Sequence, residues 1–169
     1  AATFRLRKPR LVRLLLARGG AVAIETRPMR SVAEPVAVAI APAPVARDDF
    51  RLRHKTSDRG FYDDARRASG CFETIFVDGD GFLTEGSITN IFVERNGAIV
   101  TPPATRGLLP GILRGQLIDQ GRVVEGDLTI DDLRGEFYIG NSVRGFILAV
   151  HSEGSAIPGY QAGEREVSA

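Results

Sequence analysis

Lys55 is one of only two lysines in a chain whose other 20 basic residues are arginines, and it stands in His54-Lys55-Thr56-Ser57-Asp58-Arg59. A lysine becomes a nucleophile only after losing its proton, and desolvation or neighbouring cations lower its pKa enough for it to condense with a carbonyl. Arg51, Arg53, His54 and Arg59 are the cations at hand. Taken alone, Lys55 reads as a solvated residue of a basic loop. Glu85, in Leu83-Thr84-Glu85-Gly86-Ser87-Ile88-Thr89-Asn90, is a carboxylate that could hold a protonated ring nitrogen, with Gly86 allowing backbone to approach a ligand. Thr101-Pro102-Pro103 is followed by Gly107-Leu108-Leu109-Pro110-Gly111-Ile112-Leu113-Arg114, which opens a predicted helix. Free N–H groups at such a start bind phosphate, and Gly111 would let one approach closely. Gly140-Asn141-Ser142-Val143-Arg144-Gly145 offers amide, hydroxyl and guanidinium groups in one turn. Each of the last three is weak alone.

Positioning these groups requires elements that the pattern supplies. Residues 11–17 and 21–26 read as strands joined by Gly19-Gly20, and 36–40 as a strand closed by Pro42 and Pro44, which cannot donate to a ladder. A connecting segment runs over 42–54, and a helix over 58–69 ends at Gly70. Strands follow at 73–78 and 82–84 across Asp78-Gly79-Asp80-Gly81. Strands at 88–95 and 98–101 flank Asn96-Gly97, the preferred pair for a type I′ hairpin. The spacing predicts a helix over 110–120 with proline in its first turn, a strand over 122–127, a short helix at 129–133 capped by Thr129, and strands at 136–139 and 145–150. This order is α+β, a mainly antiparallel sheet with a few helices.

Composition narrows the class. At 169 residues, 43% apolar and 25% charged, the chain suits one soluble globular domain. No stretch approaches the roughly 20 apolar residues a spanning helix needs, and no secretory h-region follows the basic start. A single cysteine, Cys71, makes neither an internal disulfide nor a metal site, so cytoplasm is the expected compartment and no metal is expected. Thirteen basic against five acidic residues through residue 60 make the front basic. Without aromatic interleaving or a nucleic-acid motif, that face reads as solvated rather than as a phosphate-backbone footprint.

Taken together and in order, Lys55-Thr56, the Thr84–Phe92 run, Thr101-Pro102-Pro103 with Gly107–Arg114, and Asn141-Ser142-Val143-Arg144-Gly145 resemble the class IV aminotransferases, pyridoxal-phosphate (PLP) enzymes. The His-Lys-Thr, Leu-Leu-Pro-Gly and Asn-Ser-Val-Arg-Gly versions are most similar to aminodeoxychorismate lyase-like members. The resemblance implies a class IV PLP domain, a mainly antiparallel sheet or barrel. In it Lys55 is the lysine that bonds the cofactor and Glu85 the partner of the pyridine nitrogen. It further implies phosphate contacts from Gly111, Ile112, Leu113 and Asn141 or Ser142. Arg144, a forked donor, is the candidate for a substrate carboxylate. The implied activity is release of pyruvate from 4-amino-4-deoxychorismate to give 4-aminobenzoate for folate synthesis. The alternatives are transamination of branched-chain or D-amino acids and a non-catalytic relative. Family members carry a smaller N-terminal domain, of which the roughly 54 residues before Lys55 resemble only the end. The implied organisation is a small-domain remnant and interdomain segment at 1–45, a PLP-binding domain at 46–150 and a frayed tail at 151–169. None of Arg5, Arg7 and Arg10 can be assigned the phosphate arginine of that domain. A homodimer, or an aggregation-prone monomer with weak cofactor retention, is expected.

Overall fold

The structure is a computed structural model and describes residues 9–152. Two compact units divide the chain, one up to Ala33 and one from Glu34. The first is a hairpin of β1 (Arg10–Leu16) and β2 (Val22–Pro28), antiparallel with Leu14 opposite Ile24 and Leu16 opposite Val22. Alternation puts Val12, Leu14, Leu16, Val22 and Ile24 on one face, and all five are exposed. Arg10 bonds Thr26 within the hairpin. Arg5 and Arg7 lie outside the described residues, as does the expected tail beyond Ser152.

The second unit is built on one mixed sheet curled into a half-barrel. Its strands are β3 (Val36–Pro42), β4 (Glu73–Val77), β5 (Leu83–Gly86), β6 (Asn90–Arg95), β7 (Ala98–Thr101), β8 (Val124–Glu125), β9 (Glu136–Asn141) and β10 (Gly145–His151). They lie in the order β5-β4-β3-β10-β9-β6-β7-β8. Antiparallel pairs are the more numerous, but β3 runs parallel to both β4 and β10, and β7 to β8. Strand β4 is buried along its whole length and β3 nearly so, which fits the near-continuous apolar run Val36–Ala41.

Two helices close the faces. Helix α1 (Gly60–Ser69) ends at Gly70 in the left-handed region (φ 66°) with Arg66 and Arg67 in its last turn, where cations complement the helix dipole. Its Tyr62 packs with Ala41, Leu52 and Phe76. Burying two such rings contributes about 1.5–3 kcal/mol each. Helix α2 (Ile112–Asp119) sets Leu117 against Phe92 and Val123. Asn96 and Gly97 both take positive φ (55° and 77°), as the type I′ turn requires.

Three expectations need correction. Pro110 is not in the first turn of a helix, because Gly111 is the extended N-cap and the helix starts at Ile112. Asp58 and Arg59 likewise precede α1. The strand expected over 122–127 shrinks to Val124–Glu125, because the amides of Arg122 and Val123 turn back to the Leu117 carbonyl and close the end of α2.

Candidate active site

Lys55 lies in the loop between a single 3-10 turn (Phe50–Leu52) and α1. Arg51 holds that loop, forking onto Asp49 (2.9 and 2.7 Å), reaching Asp58 (3.2 Å) and lying over the Phe61 ring. A guanidinium neutralised by two carboxylates is a strut rather than a source of free charge. The cation that acts on Lys55 is Arg59. Lys55 is exposed as a residue, yet partial desolvation of its ammonium first, and Arg59 second, hold its pKa below that of an ordinary lysine, against an opposing pull from Glu85.

Glu85 is buried, 3% exposed, near the end of β5. The Tyr62 hydroxyl donates to its Oε1 at 2.8 Å, and Arg59 Nη2 stands 4.0 Å from the same oxygen. Arg59 also lies over the Tyr62 ring, 4.5 Å from its centroid. Burial pushes the Glu85 carboxyl up to about 7, opposed by the Tyr62 hydrogen bond, the Arg59 charge and the Leu109 amide. Lys55, Arg59, Tyr62 and Glu85 therefore form one electrostatic group, with both titratable ends moved toward neutral pH. Strong perturbation of this kind marks functional sites more often than structural ones.

The phosphate candidates sit on two neighbouring turns. Gly111 caps α2 without a side-chain partner, so the amides of Ile112 and Leu113 have no acceptor within the helix. The glycine has a different local reason from the one expected: a Cβ there would stand 2.2 Å from Asn90 Oδ1. Asn90 Nδ2 in turn donates to the Leu109 carbonyl (3.0 Å), which ties this loop to the Glu85 side of the site. The Asn141 side chain ties its own turn to the one before β6. Its Oδ1 accepts from the amides of Val143 and Arg144 (3.0 and 3.1 Å), and its Nδ2 donates to the Ile88 carbonyl (3.0 Å). The exposed Ser142 hydroxyl is a further side-chain donor of this turn, and Arg144 is half-buried beside it.

Gly86 also departs from its expected reason. A Cβ there would meet Thr89 Oγ1 at 2.6 Å and the Glu73 carboxylate at 2.8 Å, so the space is filled by protein. Glu73 was not singled out by sequence reasoning. It opens β4, is wholly buried, and a carboxylate beginning a strand otherwise covered on both faces is the signal that could have drawn attention to it. Tyr62 was missed because its position in the first turn of α1 has no meaning until that helix is packed across β3 and β4.

The model of the amino-transferase class IV family matches residues 3–151. The chain belongs to that family. Among solved structures, a Mesorhizobium loti protein provisionally named an amino-acid aminotransferase is 34% identical and superposes with a TM-score of 0.80, covering 88% of this chain and 75% of its own. Among curated proteins, one from Methanocaldococcus jannaschii, provisionally a branched-chain-amino-acid aminotransferase, is 33% identical over 103 residues. That match covers 57% of this chain and 36% of the relative. A Schizosaccharomyces pombe protein, provisionally an aminodeoxychorismate lyase, is 32% identical over 79 residues, or 44% of this chain and 34% of its own length. The matched stretch thus spans about a third of either curated relative. Among the described residues, no helix is long and apolar enough to cross a membrane.

Proposed function

We propose that this chain binds pyridoxal phosphate and uses it to release pyruvate from 4-amino-4-deoxychorismate. The observation that carries the reading is the buried Glu85 carboxylate, held by the Tyr62 hydroxyl at 2.8 Å with Arg59 at 4.0 Å, a group whose charges also act on Lys55. The residues fit the cofactor. Lys55 offers an amine, Glu85 an acceptor for a ring N–H, the amides of Ile112 and Leu113 with the Ser142 hydroxyl an anion cradle, and Arg59 has a buried Nη1 without a hydrogen-bond partner. The bound cofactor supplies an electron sink for charge left at the carbon bearing the substrate amine. Everything else falls to the protein. Lys55 Nζ, neutral in a larger fraction than a free lysine, takes the proton from that carbon. Glu85 holds the ring nitrogen protonated, Tyr62 fixes the carboxylate's direction, and Arg144 receives a substrate carboxylate.

Transamination of an amino acid is the second reading, supported by the aminotransferase names of the Mesorhizobium and Methanocaldococcus relatives. Both readings use the same lysine and glutamate. Adding the cofactor to wild type should produce a near-visible absorbance band that Lys55→Ala lacks. Its absence from wild type, or persistence in the variant, would remove both readings. Pyruvate released from aminodeoxychorismate selects the lyase, and glutamate formed from an amino acid plus 2-oxoglutarate selects the transaminase. We further propose a cytoplasmic homodimer with residues 46–150 as its cofactor domain, a pairing supported by the exposed apolar face of the β1–β2 hairpin.

A further inference from the structure

We propose that Glu73 is a positioning residue that fixes both turns of the candidate cofactor site at once, the one after Glu85 and the one carrying Ser142. The inference rests on the proposed function for what the turns hold, and on geometry alone for how they are held.

The Glu73 carboxylate is 0% exposed and lies next to no cation in ion-pair contact among the described residues. It is satisfied mainly by donors from a single short segment. Oε1 accepts from the Thr74 amide (2.9 Å), from the Ser87 amide (2.9 Å) and from the Ser87 hydroxyl, and Oε2 accepts from the Ile88 amide (3.1 Å) and the Thr89 hydroxyl (2.8 Å). Four of the five donors belong to Ser87-Ile88-Thr89. A buried carboxylate without partners is costly, and hydrogen bonds to a charged group are roughly twice as strong as neutral ones. The segment between β5 and β6 is thus wrapped around an anion, and Gly86 lacks a Cβ because that anion occupies its place.

The clamp does not stop at this turn. Ile88 donates its N–H to Glu73 and accepts at its carbonyl from Asn141 Nδ2, and Asn141 Oδ1 takes the amides of Val143 and Arg144. The backbone of one residue therefore joins the carboxylate to the turn between β9 and β10. Glu85, one residue before Gly86, and Ser142, one residue after Asn141, are the groups proposed for the ring and phosphate ends of the cofactor. Glu73 touches neither, and acts by setting the backbone from which each projects.

The test is Glu73→Gln, which keeps size but turns one acceptor into a donor facing donors. In the cofactor-free protein, hydrogen exchange at the amides of Ser87, Ile88, Val143 and Arg144 should speed up at least about tenfold, while Ile75 and Ile139 in the sheet keep their protection. Unchanged protection at the four, or equal loss everywhere, overturns the proposal. Pyridoxal phosphate should bind the variant about tenfold more weakly. The double variant with Glu85→Gln should lose less affinity than the product of the two single losses, because Glu73 and Glu85 share the ring end of the site while the Ser142 end depends on Glu73 alone. Full additivity counts against the proposal. Should Glu73→Gln not fold, Ser87→Ala with Thr89→Val removes two of the donors and leaves the carboxylate in place. The same local loss of protection is then expected, and its absence overturns the inference. Failure of wild type to take up pyridoxal phosphate sinks the proposed function instead, and the exchange result still decides the role of Glu73.

Discussion

The Tyr62 hydroxyl and Glu85 Oε1, 23 residues apart in sequence, meet at 2.8 Å where solvent reaches neither side chain appreciably. The bond crosses from α1 to β5, so the helix that covers the sheet also aims the carboxylate. Tyr62→Phe keeps the ring packing and removes the donor. It should cost about 1–3 kcal/mol, more at pH 8 than at pH 5, because a bond to an ionised acceptor is the stronger one. Urea denaturation at the two pH values measures this, and an equal cost at both would contradict it.

Glu85 also sets a pH dependence of stability in the cofactor-free protein. Its folded pKa, about 7, lies above the ordinary value of 4.5. Between those values the folded state holds a proton that the unfolded state has lost, so stability falls as pH rises through this window. Glu85→Gln should flatten the fall and leave the variant more stable than wild type at pH 8, by about 3 kcal/mol if the whole shift is expressed. It should at the same time bind the cofactor worse, a stability gain obtained by removing a functional charge. Thermal melts from pH 4 to pH 8 decide the point, and parallel curves for both proteins would refute it.

Two glycines give an internal control. Gly86→Ala drives a methyl into Thr89 and the Glu73 carboxylate, whereas a methyl at Gly115, inside α2, meets nothing within 4 Å. Gly86→Ala should destabilise by about 1–3 kcal/mol or more. Gly115→Ala should be neutral or stabilising by up to about 1 kcal/mol. Chemical denaturation of both checks the contrast.

Arg59 pulls on both ends of the site. Arg59→Met removes the cation that lowers the Lys55 pKa and the charge that lowers the Glu85 pKa, so both should rise. The pH midpoint for pyridoxal-phosphate capture by Lys55 should move upward relative to wild type. A midpoint that stays put would mean desolvation alone shifts the lysine.

Local signals carried well from sequence to structure where the cause is local. Asn96-Gly97 and Gly70 take positive φ for steric reasons that any chain obeys, and the strands that flank them follow. The α+β class and the mainly antiparallel sheet or barrel came from the order of elements and the family resemblance. The reasons for Gly86 and Gly111 were not legible there, since their neighbours, Glu73 and Asn90, lie 13 and 21 residues away along the chain and come close only after the sheet curls. The bond from the Asn141 side chain to the Ile88 carbonyl, which spans 53 residues, was likewise not legible in the sequence.

The parallel pairing of β10 with β3 joins Val36–Val38 to Ala149–His151, near the two ends of the second unit. Remove β10 and the sheet falls into two unconnected pieces, β5-β4-β3 and β9-β6-β7-β8. During synthesis, then, the early strands wait with an open edge until β10 leaves the ribosome. Contacts this distant in sequence close slowly, and an unpaired edge in the meantime invites pairing with another nascent copy. A ribosome stalled before Gly145 should hold a chain that a protease or a chaperone recognises, while one released past His151 should not.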